Sequence, residues 1–564
     1  MRTSVGLMVL FLFLFGQKME GDIMKTRLTR MLSIMLLGVM ALTGCGGGEA
    51  TSAGAAIEAG EKVARLVSGT EPGSLHPALS QGSHESIILD HIFEGLMKRD
   101  ENAELVEGMA ESYTISEDEL TYTFKIREDA KWSNGDPVTA KDFEIAWKFA
   151  LNPDSAADYA YQLYYLKNGE AYNTGEATAD EVGVRALDDK TLEVVLEKPT
   201  AFFLELCAFY TYYPVNTAIQ EQMGADWAND GSTFVSNGAF ALTAWNHDES
   251  VEVVKNEYYY NKDAVNLDGI NFYILDDNNT MWQMYQNDEL DINFDLPTDV
   301  WGQLLRDNDP EFKNPTELST YFYRFNTTVK PFNNAKVRRA LSMAIDRESL
   351  VGDVVQGGQI PAYALVCPEI AEGDGDFREN GGDYFQESIE EAKALLAEGL
   401  AEEGMDSLDF TILYNTSEQH KKVAEAIQQM WNENLGVNVT LENVEMKVKI
   451  DRESKLDYSV SRAGWVGDYI DPNTFLDLFT SWSDQNDTGW TAEAYDELIT
   501  KAAEETDKEL RMEYLHQAEA MLMEEMPIMP IYYYTRGMTT KPYLTGVTKA
   551  INREVNLIYA DITK

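Results

Sequence analysis

The chain has 564 residues, 44% hydrophobic and 11% aromatic, the composition of a globular protein and not of a disordered one. Its 96 Asp and Glu outnumber 45 Lys and Arg, for a formal net charge of −51. Such a surface repels phosphate backbones and anionic headgroups, so nucleic acid and acidic lipid are excluded as partners.

Residues 1–44 read as targeting sequence. Lys25, Arg27 and Arg30 precede the apolar run from Met31 to Leu42, which ends in Leu42-Thr43-Gly44-Cys45. A basic segment, a short apolar segment and small residues at the junction make a secretory signal. The Cys directly after them makes it resemble a bacterial lipoprotein signal, in which Cys45 becomes the lipidated N-terminus. Met24 is then the natural start. The upstream apolar run Val5–Phe15 is shorter than the ~20 residues that a membrane span needs. Residues 45–60, rich in Gly, Ala and Ser, read as a flexible tether. Without residues 1–44 the body keeps 40 basic and 94 acidic side chains. It is too long for one core, and two or three domains are expected.

Along the body, strand-like and helix-like segments alternate, as in an α/β protein. His76, His84 and His91 recur at spacings of eight and seven, but no Cys or carboxylate set completes a metal site. Thr121–Ile126 alternates polar and bulky residues like a half-buried strand. Thr139 is placed to cap a helix from Ala140 to Ala150, which Asn152-Pro153 stops. Cys207 and Cys367 are the body's other cysteines; an oxidising compartment permits a disulfide, and their spacing does not decide it. Further on, a strand at 410–414, a helix at 417–434, the stop Leu435-Gly436 and a strand at 437–441 make a βαβ unit, hence a parallel sheet. Tyr458–Gly464 alternates as another strand.

With these segments placed, long stretches resemble one family, the extracytoplasmic peptide/nickel solute-binding proteins of ABC importers. The matching stretches include Glu71-Pro72-Gly73-Ser74-Leu75, Ile92-Phe93-Glu94-Gly95-Leu96 and the long run Lys131–Phe143. Ser236-Asn237-Gly238-Ala239-Phe240, Val337–Leu341 and Arg462–Tyr469 follow in order. The resemblance implies a bilobal, clamshell α/β fold of the periplasmic-binding-protein type, with an extra α/β domain on one lobe. By similarity, domain I comprises 61–93, 217–322 and 536–564, domain II 94–216 and domain III 323–535. The chain then crosses between the lobes twice, near 322 and 535, as hinged clamshells do.

The resemblance also implies site residues. Asp468 takes the position at which the family's oligopeptide binders hold the peptide α-amine, and a buried carboxylate does need a cation. Arg462 and His420 match residues that engage the carboxylate end. His420 falls in the first turn of a helix after a parallel strand, where open α/β sheets bind ligands and helix N–H groups favour an anion. Arg462 adds a two-pronged donor. Six residues separate Arg462 from Asp468, up to ~20 Å if extended; a tripeptide or tetrapeptide spans ~10–13 Å. The strand ending at Gly464 offers main chain to a bound peptide. By similarity Gln81, Gly82 and Ser83 supply the opposite partner, and Trp465 lines a side-chain pocket. Two departures stand out: Met446 replaces a pocket tryptophan, and His76 replaces the usual Asp of a Ser-Leu-Asp-Pro stretch.

The expected protein is therefore a monomer, lipid-anchored on the outer face of the cytoplasmic membrane, that hands short peptides to the permease subunits of an ABC importer without a cofactor. A receptor for peptide pheromones or cell-wall peptides, and a binder of nickel, haem or sugar, are the alternatives. Hydrolase motifs such as Gly-x-Ser-x-Gly and His-Glu-x-x-His are absent, so enzyme activity is not expected.

Overall fold

The computed structural model describes residues 62–563, apart from 484 and 553. Cys45, the signal and the tether lie outside the described residues. Among the described residues, no helix is long and apolar enough to cross a membrane.

The first half of the body is built on two four-stranded sheets. One orders its strands Val63–Gly69, Gly269–Ile274, Ser250–Lys255 and Phe240–Asn246, with the first pair parallel. The other is antiparallel, Ala110–Ile115, Thr121–Ile126, Thr191–Val195 and Val184–Asp188. The strand expected at 121–126 is thus present, with Tyr122, Phe124 and Ile126 buried. Both sheets share one core with the helices Ser83–Ile92 and Ala140–Ala150. Thr139 caps the second helix as expected, through Asp142. The buried Asp142 carboxylate also accepts from Trp132 Nε1 at 3.1 Å and from Thr217 N and Oγ1 at 2.9 and 2.6 Å. The long run Lys131–Phe143 therefore knits this half together.

The second half is a six-stranded sheet, ordered Ile360–Pro361, Ile528–Thr535, Thr316–Phe325, Val460–Val466, Asp409–Asn415 and Asn438–Val444. All ten residues of Thr316–Phe325 are buried, because this central strand is covered on both faces. Tyr321, Tyr323 and Phe325 enter one core layer, under the helices Ala335–Met343, Ile389–Glu403 and Glu418–Leu435. Leu318 and Phe322 enter the other, under Glu493–Glu504 and Lys508–Glu525. The βαβ unit is present: Asp409–Asn415 pairs in parallel with Asn438–Val444, and Ser417 and Gly436 cap the helix between them. The strand expected at 437–441 runs on to Val444, since the ladder continues to Asn415↔Val444. The strand expected at 458–464 lies at Val460–Val466, because Leu456 takes a left-handed turn (φ 54°) that delays its start.

The chain passes between the halves at Phe312–Lys313 and returns at Met538–Thr540, and these two passages pair side by side. The C-terminal Leu544, Val555 and Leu557 rejoin the first core. Cys207 and Cys367 are both buried and free, in separate core clusters.

Candidate functional site

A cavity of about 730 Å³ is walled by both halves of the body. Of the residues singled out from the sequence, Gln81, Gly82 and Asp468 line it, whereas Arg462, His420, Gly464 and Trp465 stand behind the wall.

Asp468 follows the strand Val460–Val466 through Gly467. A Cβ at 467 would stand 2.6 Å from Leu318 Cδ2 and 2.8 Å from Thr474 Cγ2. Only glycine lets the chain run this close to the core before Asp468 turns into the cavity. The Asp468 N–H donates to Thr474 Oγ1 at 3.1 Å. Burial pushes the carboxyl up to about 6, partly offset by a hydrogen bond from Gln162, and no cation among the described residues acts on it. At its back, burial and then the Asp468 charge push Asp477 up to about 7. Asp477 accepts from Asn473 Nδ2 at 3.2 Å and from Tyr469 Oη at 3.3 Å. Tyr469 stacks on Phe202 with ring centroids 4.0 Å apart, which fixes the turn against the first half.

Arg462 lies mid-strand opposite Tyr323. Alternation along the strand puts Arg462 and Gly464 on the face of the sheet that carries Tyr321 and Tyr323, and Trp465 on the other. Trp465 accordingly packs in the opposite core layer and donates to Thr474 Oγ1 at 3.4 Å. The Arg462 guanidinium crosses the Tyr321 ring at 4.6 Å and donates through Nη2 to Tyr534 Oη at 2.8 Å. Its buried Nε has no hydrogen-bond partner among the described residues. Burial opposes its charge, but the phenols of Tyr534, Tyr321 and Tyr532 outweigh that and hold its pKa above the ordinary value.

His420 sits in the first turn of Glu418–Leu435, where its N–H donates to Ser417 Oγ at 3.4 Å. Its ring lies 5.6 Å from Tyr321, and its buried Nδ1 has no partner among the described residues. Burial, then the charges of Arg462 and Lys449, push it down to about 3, so it is neutral. Behind it Lys449 donates to Glu453 at 2.6 Å, and Arg324 pairs with Glu453 and Asp487. Among the described residues Lys449 and Arg324 are thus paired with carboxylates, and Arg462 is a cation without one.

The segment 81–83 is less open than expected. The Gly82 N–H donates to Glu85 Oε2 at 2.8 Å, and its carbonyl accepts from Glu85 and Ser86 of the helix that Ser83 opens. Gln81 is exposed on the wall. His76 is buried, accepts from the Ala78 N–H at 3.1 Å through Nδ1, and therefore donates from Nε2 to Gln220 at 3.2 Å. Burial pushes it down to about 4, so a neutral imidazole shapes the turn before Gln81. His91 is likewise buried, bonding the Ile87 carbonyl and the Leu557 N–H. Among the described residues no three His, Cys or carboxylates gather as a metal site. Met446 is exposed, at the start of the helix Met446–Ser454.

Sequence reasoning missed Tyr532 and Tyr534, which line the cavity from the strand Ile528–Thr535. The run Tyr532-Tyr533-Tyr534 carried the signal, since alternation sends its first and third rings to one face. It also missed a corner of the wall where Glu205 and Glu554 pair with Arg99 and Asp90 lines the cavity nearby. The strands carrying Val466 and Tyr534 flank the central strand and run in the same direction. They are two strand spacings apart, ~10 Å.

Comparison with known proteins agrees with this architecture. Residues 104–487 match the family described as bacterial extracellular solute-binding proteins, family 5. The chain is 42% identical to the oligopeptide-binding protein OppA of Bacillus subtilis, over 92% of this chain and 96% of the relative. It is 40% identical to the dipeptide-binding protein DppE of the same organism, over 89% and 92%. The structure of the periplasmic murein tripeptide binding protein MppA in its unliganded open form superposes with a TM-score of 0.78 at 34% identity, covering 90% of this chain and 98% of MppA. The fold is accordingly the bilobal α/β fold of periplasmic peptide-binding proteins, and the chain belongs to the bacterial extracellular solute-binding proteins of family 5.

Proposed function

We propose that the protein captures short peptides between its two lobes and delivers them to the permease of an ABC importer. The observation that carries this reading is a pair of complementary unpaired charges among the described residues. Asp468, on the cavity wall, has no cation, and Arg462, behind the opposing tyrosines, has no carboxylate. A zwitterion whose two ends reach these groups satisfies both, and a short peptide is such a zwitterion. Asp468 takes the α-ammonium, and Arg462 with His420 the α-carboxylate. Gly464 lies beside Arg462 and Tyr534, while Gln81 and Gly82 flank the ligand and Trp465 backs the wall from the other face of the sheet. The names of the relatives, which bind oligopeptides, dipeptides and a murein tripeptide, support the same ligand class. In this reading domain I is 61–93, 217–315 and 536–564, domain II 94–216 and domain III 316–535, the boundary expected at 322 moving so that the central strand Thr316–Phe325 stays whole. A lipid on Cys45 holds the protein at the outer face of the cytoplasmic membrane, and Cys45→Ser leaves it in the medium or as unprocessed precursor.

Native mass spectrometry of protein purified without refolding tests the ligand class. Adducts at peptide masses of a few residues are expected. A metal, haem or sugar adduct, or none with exogenous tripeptides added, contradicts the reading.

A further inference from the structure

We propose that Arg462 reads the ligand carboxylate through Tyr534, whose hydroxyl is the group that touches the ligand. The inference rests on the peptide reading above and relocates one of its contacts. Tyr534 lines the cavity and Arg462 does not. The guanidinium lies over the Tyr321 ring at 4.6 Å and ends on Tyr534 Oη at 2.8 Å, so the phenol stands between the charge and the cavity.

The chemistry suits a relay. A phenol oxygen that accepts from a guanidinium still has its own proton to donate. Accepting from a cation polarises the hydroxyl and strengthens the bond it donates onward. The Arg462 charge is thereby presented to a ligand carboxylate while the guanidinium itself is not among the groups that line the cavity. Gly464 lies beside the pair, where a Cβ would stand 3.5 Å from Arg462 Nη2 and 3.8 Å from Tyr534 Oη, ordinary contact distances. Tyr532, whose ring is 5.1 Å from that of Tyr534, braces it on the same wall. Tyr534 is then the carboxylate-binding residue and Arg462 its positioning residue.

The test is calorimetry of trialanine, free and C-terminally amidated, against wild type, Tyr534→Phe, Arg462→Gln and the double variant, with melting curves to confirm folding. In wild type the free peptide binds more tightly than the amide. Tyr534→Phe and Arg462→Gln each shrink that ratio by the same factor, roughly 10- to 100-fold, the range for hydrogen bonds to charged groups. The double variant shrinks it no further, because both substitutions break one chain. Retention of the ratio in Tyr534→Phe with its loss in Arg462→Gln would mean direct contact with Arg462 and overturn the relay. An equal loss for free and amidated peptide in Tyr534→Phe would make Tyr534 a packing residue only, and would overturn the relay as well. A wild type that binds both forms equally would overturn carboxylate reading by either residue.

Discussion

Asp468 and Arg462 are opposites in the same protein. Among the described residues, one is a carboxyl on the cavity wall without a cation, the other a guanidinium behind the wall without a carboxylate. Several other buried charges of the fold are closely paired. Arg378 donates to both Glu519 oxygens at 2.8 and 2.9 Å, and Arg511 to both Asp471 oxygens at 2.9 and 2.8 Å. An unpaired buried charge is costly, so two of opposite sign flanking one cavity are accounted for by a ligand that carries both complements. The two ends also differ in how they hold charge. The carboxyl sits near its titration point at about 6, whereas the guanidinium is charged at every physiological pH.

The comparison breaks most sharply at Asp468. N-acetylation of a peptide removes the cation that Asp468 pairs with, a loss of ~3–5 kcal/mol, or a hundredfold and more in affinity. Asp468→Asn weakens the free peptide and narrows its gap to the acetylated form, which calorimetry measures directly. An unchanged gap would remove Asp468 from the role. Arg462→Met comes next, costing ~2–4 kcal/mol for the free peptide and far less for the amide. A smaller effect, ~1–3 kcal/mol of stability, is expected of Gly467→Ala, whose new methyl meets Leu318 and Thr474. It appears as a lowered melting temperature together with weakened α-ammonium recognition, since Asp468 moves with its neighbour.

The smallest effect is the one that separates the ends by pH. Binding an ammonium favours ionised Asp468, so below about pH 6 a proton must leave before the ligand binds. Affinity for the amidated peptide, which is read at Asp468, falls about tenfold between pH 7 and pH 5. Over the same range His420, pushed down to about 3, does not change charge. The acetylated peptide, which leaves Asp468 without a cation, gains affinity over the same range as the carboxyl is neutralised. A parallel decline of both peptides would show that the ends are not read separately.

Much of this was legible in the sequence for identifiable reasons. The strand at 121–126 shows because its residues alternate, and the helix at 140–150 because Thr139 and Asn152-Pro153 mark its ends. The βαβ unit around His420 shows because Ser417 and Gly436 are cap residues. Asp468 and Arg462 were singled out only through resemblance, since nothing local distinguishes them from other charged residues in so acidic a chain, whereas His420 also had its place at a helix start after a parallel strand. Tyr534 was legible only as one ring of an alternating tyrosine run, not as a partner of Arg462. Its role depends on Arg462 reaching across the central strand, a contact between residues 72 apart in sequence. The corner around Arg99 was hidden likewise, because it joins Asp90, Glu205 and Glu554 from three distant segments.

The central claim is that two unpaired charges of opposite sign read the two ends of one peptide. Calorimetry of a single tripeptide with wild-type protein at pH 7, in free, N-acetylated, C-amidated and doubly blocked forms, tests it most directly. The account predicts that each block weakens binding, acetylation by about a hundredfold or more, and that the doubly blocked form loses the product of the two factors. A doubly blocked tripeptide that binds as tightly as the free one would contradict it.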